Sequence, residues 1–367
     1  MALKVAIVGL PNVGKSTLFN ALTQTAQAQA ANYPFCTIEP NIGDVAVPEP
    51  RLESLAKIAG SKEIIPARVN FVDVAGLVRG ASKGEGLGNQ FLANIRDCDA
   101  VAFVARCFID DDVTHVEGRV DPLSDLDIIE TELMLADLES LEKRVTALEK
   151  KAKGGDKESA LTLKLVNLAL THLNAGRPAR AAQDDISKED DKAWRMLQLL
   201  TSKPALYVCN VDEGSAEGGN DLSALVLARA ARDKADAVVI SAKIESEIAL
   251  LPAEERGEFL ETLGLEEPGL NRLIHQAYHL LGQQTYFTVG PKEARAWTIP
   301  VGVTAPQAAG VIHTDFEKGF IRAETIAFDD YVKLNGEAGA RDAGKMRLEG
   351  KEYVVRDGDV MHFRFNT

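Results

Sequence analysis

The segment Gly9 to Thr17 reads GLPNVGKST and meets the pattern G-x-x-x-x-G-K-[ST] immediately after the apolar run Val5 to Val8. Residues of these types at this spacing hold the phosphates of a nucleoside triphosphate. A buried strand ends at Gly9, the backbone N–H groups from Asn12 and Val13 to Thr17 wrap an anion, and a helix opening near Lys15 aims its positive end at the same charge. Lys15 is expected to bridge the β- and γ-phosphates and Ser16 to give Mg2+ a hard oxygen ligand. Gly14 is expected to let the backbone approach with no Cβ in the way. Leu18, Phe19 and Leu22 give the following helix an apolar face, a flank that a chance match in a glycine turn would lack.

A phosphate loop alone suits a kinase, a motor or a transporter ATPase, and the later motifs narrow the choice. Asp73, in DVAG at the end of an apolar strand, supplies a carboxylate that orients Mg2+, and Gly76 places an N–H near the γ-phosphate. Thr37, in NYPFCTI, stands where its hydroxyl becomes a second Mg2+ ligand once the γ-phosphate is present. Two loops held by one γ-phosphate and one metal make a switch.

Asn210-Val211-Asp212-Glu213 follows a strand where the NKxD base-reading motif of GTPases would fall, and Ser241-Ala242-Lys243 follows the next strand like their SAK motif. Guanine offers two adjacent donors, N1–H and the N2 amine, to the short carboxylate of NKxD. Here that position is Glu213, one methylene longer, and the packing lysine is replaced by Val211. Adenine has an acceptor at N1 and no N2 donor, so a site without the short carboxylate loses its guanine preference. Asn210 is expected to pair with adenine N7 and the exocyclic amine. ATP is therefore the expected substrate, and Glu213→Asp with Val211→Lys is expected to rebuild a guanine site.

These motifs need a scaffold of parallel strands. Apolar runs at Val5–Val8, Val69–Val74, Val101–Val104, Leu206–Cys209 and Val238–Ile240 alternate with helical patterns, which predicts an α/β domain with a mostly parallel sheet. From about 128 to 203 the rhythm breaks. Leu135, Leu138, Leu141, Val145 and Leu148, then Leu161, Leu165 and Leu168 after Gly154-Gly155, predict an inserted antiparallel helical hairpin, with a third helix from Ser187. After about 283, short strands at Thr285–Val289, Ala296–Ile299, Glu352–Val355 and Val360–Phe365, with a turn at Asp357-Gly358, predict a small α+β domain. The expected division is 1–127 plus 204–283, 128–203, and 284–367.

At 367 residues two or three domains are expected. No apolar leader or long apolar span is evident, so the chain is expected to be cytoplasmic and to make no membrane contact. Cys36, Cys98, Cys107 and Cys209 are widely spaced and read as reduced thiols, not a metal site. The net charge of −14 argues against a general nucleic-acid binder. Most of the acidity falls on the segments holding the nucleotide motifs. Within 128–203, Lys143, Arg144, Lys150, Lys151, Lys153 and Lys157 form either a local phosphate-meeting patch or a solvated helix face.

GLPNVGKST, NYPFCTI, DVAGLVRGASKGEGLGNQFL, NVDE, the helical insertion, and TYFTVGPKEARAWTIPVG with HTDFEKGFIRAET together resemble the YchF-type Obg-like ATPases over nearly the whole chain. The resemblance implies a G-domain-like P-loop fold, a coiled-coil insertion and a C-terminal TGS domain of β-grasp type. It also implies preference for ATP over GTP, dependence on Mg2+, and association with ribosomes, translation and stress responses. The partner expected from it is the ribosome, as large subunit or 70S, with RNA contacted through the insertion and the TGS domain by a monomeric chain.

The glutamine that orients attacking water in many related GTPases is Leu77 here, which has no hydrogen-bonding group. His115, in the polar loop Asp110 to Asp121, is the candidate to replace it, and the resemblance points to a histidine in this loop; the alternative is an ordinary exposed histidine. Asn12 stands where its carbonyl could help K+ bridge the phosphates, as relatives with asparagine here imply, or it merely caps the loop. Gly80 to Gly88, with Lys83, reads as a switch segment. The leading expectation is a regulatory ATPase. The alternatives are a nucleotide-stabilised scaffold with incidental turnover and a GTPase of the same fold.

Overall fold

The computed structural model describes residues 3–30, 41–74, 87–113 and 118–366. Strands β1 (Lys4–Val8), β2 (Ile42–Ala46), β4 (Arg68–Asp73), β5 (Ala100–Cys107), β6 (Ala205–Val211) and β7 (Asp236–Ile240) form one sheet in the order β2-β4-β1-β5-β6-β7. All neighbours are parallel except β2, which runs antiparallel to β4 at the edge. Every residue of β5 and β6 is buried, as expected of parallel strands covered on both faces. Parallel running places the carboxyl ends of β1, β4, β5, β6 and β7 along one rim, where open α/β sheets bind ligands. The five apolar runs are all strands; β2 was not anticipated because Gly43 and Asp44 interrupt its apolar pattern.

Helix α1 (Lys15–Ala30) follows the phosphate loop, and α3 (Leu87–Arg96), α7 (Asp221–Arg232), α8 (Ala242–Leu250), α9 (Ala253–Thr262) and α10 (Gly269–Leu280) accompany the same sheet. The inserted hairpin is α4 (Pro122–Lys153) against α5 (Lys157–Asn174), turning at Gly154-Gly155. Asp121 begins α4 by accepting the Ser124 N–H at 3.1 Å ahead of Pro122 in the first turn. Leu141, Leu165, Val166, Ala169 and Leu173 bury a separate core with Trp194, Leu197 and Leu199. The helix expected from Ser187 is only α6 (Asp191–Arg195), and Asp190 makes no side-chain cap. The positive φ of Gln198, 54°, marks where the chain has already left helical geometry on its way back to β6. Asp137, nearly fully buried, fixes that return by accepting the N–H groups of Leu200 and Thr201 at 2.9 and 2.8 Å and the Thr201 hydroxyl at 2.7 Å.

Strands β8 (Gln283–Val289), β9 (Glu293–Pro300), β10 (Phe320–Ala327), β11 (Arg347–Glu349) and β12 (Asp359–Phe365) join β3 (Glu63–Ile65) in a second sheet, β11-β10-β12-β8-β9-β3. Helices α11 (Ala305–Ile312) and α12 (Thr314–Lys318) pack on one face with Tyr286, Phe320 and Phe363. Helices α2 (Pro50–Ala59) and α13 (Phe328–Lys333) lie against the rest, followed by α14 (Glu337–Asp342). The strand expected at Glu352–Val355 is reduced to one bridge, Thr304 to Val354. Its backbone is spent on the start of α11, where Val355 N–H donates to Val303 O and Tyr353 O accepts from Ala305 N–H. Asp357-Gly358 still turns the chain into β12, whose partners are β10 and β8.

β3 lies between β2 and β4 in the chain yet pairs in parallel with β9. Ser61 Oγ donates to Gly290 O at 2.7 Å and Arg51 Nη1 reaches Asp357 Oδ2 at 2.7 Å, so this excursion is stitched to the second sheet. One core runs through both, from Ile7 and Phe71 to Phe287, Ala296 and Val360. Cys98, Cys107 and Cys209 are buried free thiols; Cys36 lies outside the described residues. Among the described residues no helix is long and apolar enough to cross a membrane.

Candidate nucleotide-binding site

β1 delivers its chain end into the loop 9–14 with no spare room. A Cβ on Gly9 would stand 2.8 Å from Val13 Cγ2 and 3.0 Å from Val104 O. Asn12 and Gly14 take positive φ values of 65° and 90°, turning the backbone so that α1 opens at Lys15. Val13 is fully buried, whereas the side chains of Asn12, Ser16 and Thr17 are exposed. The first turn of α1 contains no acidic residue of its own, so the helix adds no negative charge where an anion would meet its positive end.

Lys15 is 8% exposed, and its Nζ ion-pairs with Asp73 Oδ1 at the end of β4. Asp73 is held there by its own N–H donating to Asn41 O at 2.9 Å. The ammonium expected to meet phosphates and the carboxylate expected to orient a metal are thus adjacent, brought from positions 15 and 73 by the β1–β4 pairing. The Ser16 hydroxyl and Asp73 are hard oxygen donors, the kind Mg2+ takes. Among the described residues no cluster of three or more His, Cys, Asp or Glu forms a protein-only cage. A Mg2+ held here would take oxygens from Ser16 and Asp73 together with those of the phosphates.

On the other side of the loop, Asn210 at the end of β6 is 4% exposed. Its Nδ2 donates to Val13 O at 2.9 Å and its Oδ1 accepts from Ala242 N–H at 2.9 Å. The expectation that Asn210 pairs two-handed with adenine is therefore corrected: both ends of its amide are committed to protein. Gly14 has a further reason to be glycine: a Cβ there would strike Asn210 Nδ2, at 2.1 Å, so its smallness also serves the Asn210 contact. Val211 is 3% exposed and packed in the strand, so the residue at the lysine position faces the core and cannot lie along a base.

Ser241 is 2% exposed, and its Oγ is buried with no hydrogen-bond partner. Asp212 is occupied by Ser215 Oγ at 3.0 Å, and Glu213 is paired with Lys243 Nζ at 2.6 Å. Sequence reasoning had treated Lys243 only as part of a motif. It also missed Arg106, buried at the end of β5, which donates to the carbonyls of Phe108, Asp110 and Val113 at 3.2, 3.2 and 2.9 Å and lies over the Phe108 ring. The signal was a lone arginine inside the apolar run VAFVARCF. Thr37, Gly76, Leu77, Lys83 and His115 lie outside the described residues.

A family model described as 50S ribosome-binding GTPase matches residues 4–150, and the YchF GTPase C-terminal model, described as a protein of unknown function, matches 283–366. The chain is 58% identical over 368 residues to a protein of Haemophilus influenzae named ribosome-binding ATPase YchF, covering all of both. It is 53% identical over 369 residues to the protein of that name from Bacillus subtilis, again over both full lengths. The solved structure of the Schizosaccharomyces pombe YchF GTPase superposes with a TM-score of 0.88 at 37% identity, covering 99% of this chain and 97% of that one.

Proposed function

We propose that this chain, which belongs to the YchF family of P-loop NTPases, binds ATP in preference to GTP, hydrolyses it to ADP and phosphate, and acts as a nucleotide-dependent switch on the ribosome. The observation that carries the reading is the meeting of Lys15 and Asp73 at the mouth of the phosphate loop. Mg2+, when bound, neutralises phosphate charge and orients the triphosphate. In this reading Lys15 holds phosphate oxygens, Ser16, Thr37 and Asp73 hold the metal, and the Gly76 N–H faces the γ-phosphate. His115 orients the attacking water in place of the side chain that Leu77 lacks, and Asn12 helps hold K+.

The ribosome enters through the names of the relatives, and with it a cytoplasmic location. The nucleotide-binding unit is 1–127 with 204–283; the helical unit 128–203 and the TGS-like unit 284–367 are the arms that meet ribosome and RNA, and the chain acts as a monomer. A second reading, a nucleotide-stabilised scaffold with incidental turnover, is favoured by Leu77. ATPase rates with and without ribosomal subunits, in K+ and in Na+, separate the two. Stimulation by ribosomes, greater in K+, is expected; a slow rate indifferent to both would support the scaffold.

A further inference from the structure

Lys243, the second residue of α8, reaches across to Glu213 at the start of the turn after β6, and Nζ and Oε1 meet at 2.6 Å. These are the residues that close the two loops expected to face the base. We propose that Lys243 is a specificity-determining residue: by engaging the Glu213 carboxylate it prevents that group from reading guanine and so keeps the site selective for adenine nucleotides. This inference rests on the ATP reading above.

The neighbouring groups leave Glu213 as the carboxylate free to choose between partners. Asp212 is taken by Ser215, and the Ala242 N–H is taken by Asn210. Ser241 Oγ, immediately before Ala242, is buried with no hydrogen-bond partner. An ionised carboxylate only accepts hydrogen bonds. Guanine's edge presents two adjacent donors to it, whereas adenine presents one donor beside the N1 lone pair. A released Glu213, although one methylene longer than the aspartate of NKxD and so a poorer fit, would still offer acceptors to guanine's two donors and oppose adenine N1; a Glu213 bound to an ammonium does neither. The Lys243 pKa is raised chiefly by the hydrogen bond to Glu213, with smaller contributions from the charges of Glu213, Glu247 and Asp110.

The test is displacement of a fluorescent ATP analogue by ATP, GTP and ITP from the full-length protein and three variants: Lys243→Ala, Lys243→Arg, and Lys243→Ala with Glu213→Gln. Lys243→Ala should move the GTP-to-ATP affinity ratio toward GTP by roughly three- to fivefold, the size that an exposed ion pair permits. ITP, which keeps N1–H but lacks the N2 amine, should gain less. Lys243→Arg should keep the wild-type ratio, and Glu213→Gln should cancel the shift. General damage to the loop would weaken all three nucleotides alike. An unchanged ratio in Lys243→Ala, or a shift that survives Glu213→Gln, would overturn the inference. Wild type that prefers GTP would instead defeat the ATP reading, and the change of ratio on losing Lys243 would still score Lys243 by itself.

Discussion

Asn210 and Val13 are far apart in the chain, yet Asn210 Nδ2 donates to the Val13 carbonyl at 2.9 Å. Because Oδ1 of the same amide accepts from Ala242, one buried side chain ties the phosphate loop to the loop that opens α8. The phosphate side and the base side of the site are therefore set relative to each other before any nucleotide arrives, which lowers the ordering cost of binding.

Removing that tie should be costly. Asn210→Ala leaves two buried backbone groups without partners, and an unfolding stability loss of about 2–4 kcal/mol is expected. Urea unfolding measures it, and calorimetric titration should show weaker ATP binding at a temperature where the variant is folded. Native-like ATP affinity in a folded Asn210→Ala protein would show that the tie is structural only. Gly14→Ala should do comparable harm, since its Cβ would meet Asn210 Nδ2 and its φ of 90° disfavours any side chain.

Lys15→Ala should lower ATP affinity by roughly ten- to a hundredfold, as expected for losing a charge-assisted contact. Turnover should fall to background while circular dichroism stays near native. Retained turnover would remove Lys15 from the chemistry.

The expected route to a guanine site, Glu213→Asp with Val211→Lys, is changed by the burial of Val211. A lysine there would carry its ammonium into the core packed against the sheet, and a loss on the order of 3 kcal/mol or more is expected. Thermal unfolding of Val211→Lys measures this directly. Glu213→Asp alone is then the informative change for base choice, read as the GTP-to-ATP affinity ratio.

Glu245 gives a pH signature. Its side chain is 2% exposed, and Oε1 accepts the Gly269 N–H that opens α10 at 2.7 Å, while Oε2 is buried without a partner. Burial pushes its pKa up from 4.5 to about 6, against the opposing pull of the Leu270 and Gly269 N–H groups. The folded state therefore holds a proton that the unfolded chain releases, so this contribution is fully present below pH 4.5 and is lost as pH rises through about 6. Glu245→Gln keeps an acceptor for Gly269 and should be more stable than wild type at pH 8, by up to about 2 kcal/mol, with no advantage at pH 4.5. Denaturant midpoints at the two pH values test it; an equal effect at both would exclude titration of Glu245.

Much of the candidate site was legible because its chemistry is local in sequence. A phosphate loop is a short run whose glycines, lysine and serine act through adjacent backbone, and Asp73, Asn210 and Ser241 each follow an apolar strand that announces itself by composition. The parallel sheet and the helical hairpin were readable for the same reason, since periodicity and breakers are properties of neighbouring residues. What the sequence could not decide are contacts made when distant segments pack. The pattern NVDE says that Val211 replaces a lysine, but only its pairing with Cys107 of β5 and the packing around it put its side chain in the core. Gly14 reads as room for a phosphate, and only the fold shows that a Cβ there would also strike the Asn210 amide. Nothing in Glu63–Ile65 foretells that it leaves its neighbours to pair with β9, because a three-residue strand has too little pattern to choose a partner and takes the edge that packing offers. Lys243 could be named from its motif; that it meets Glu213 follows from where α8 begins relative to the end of β6.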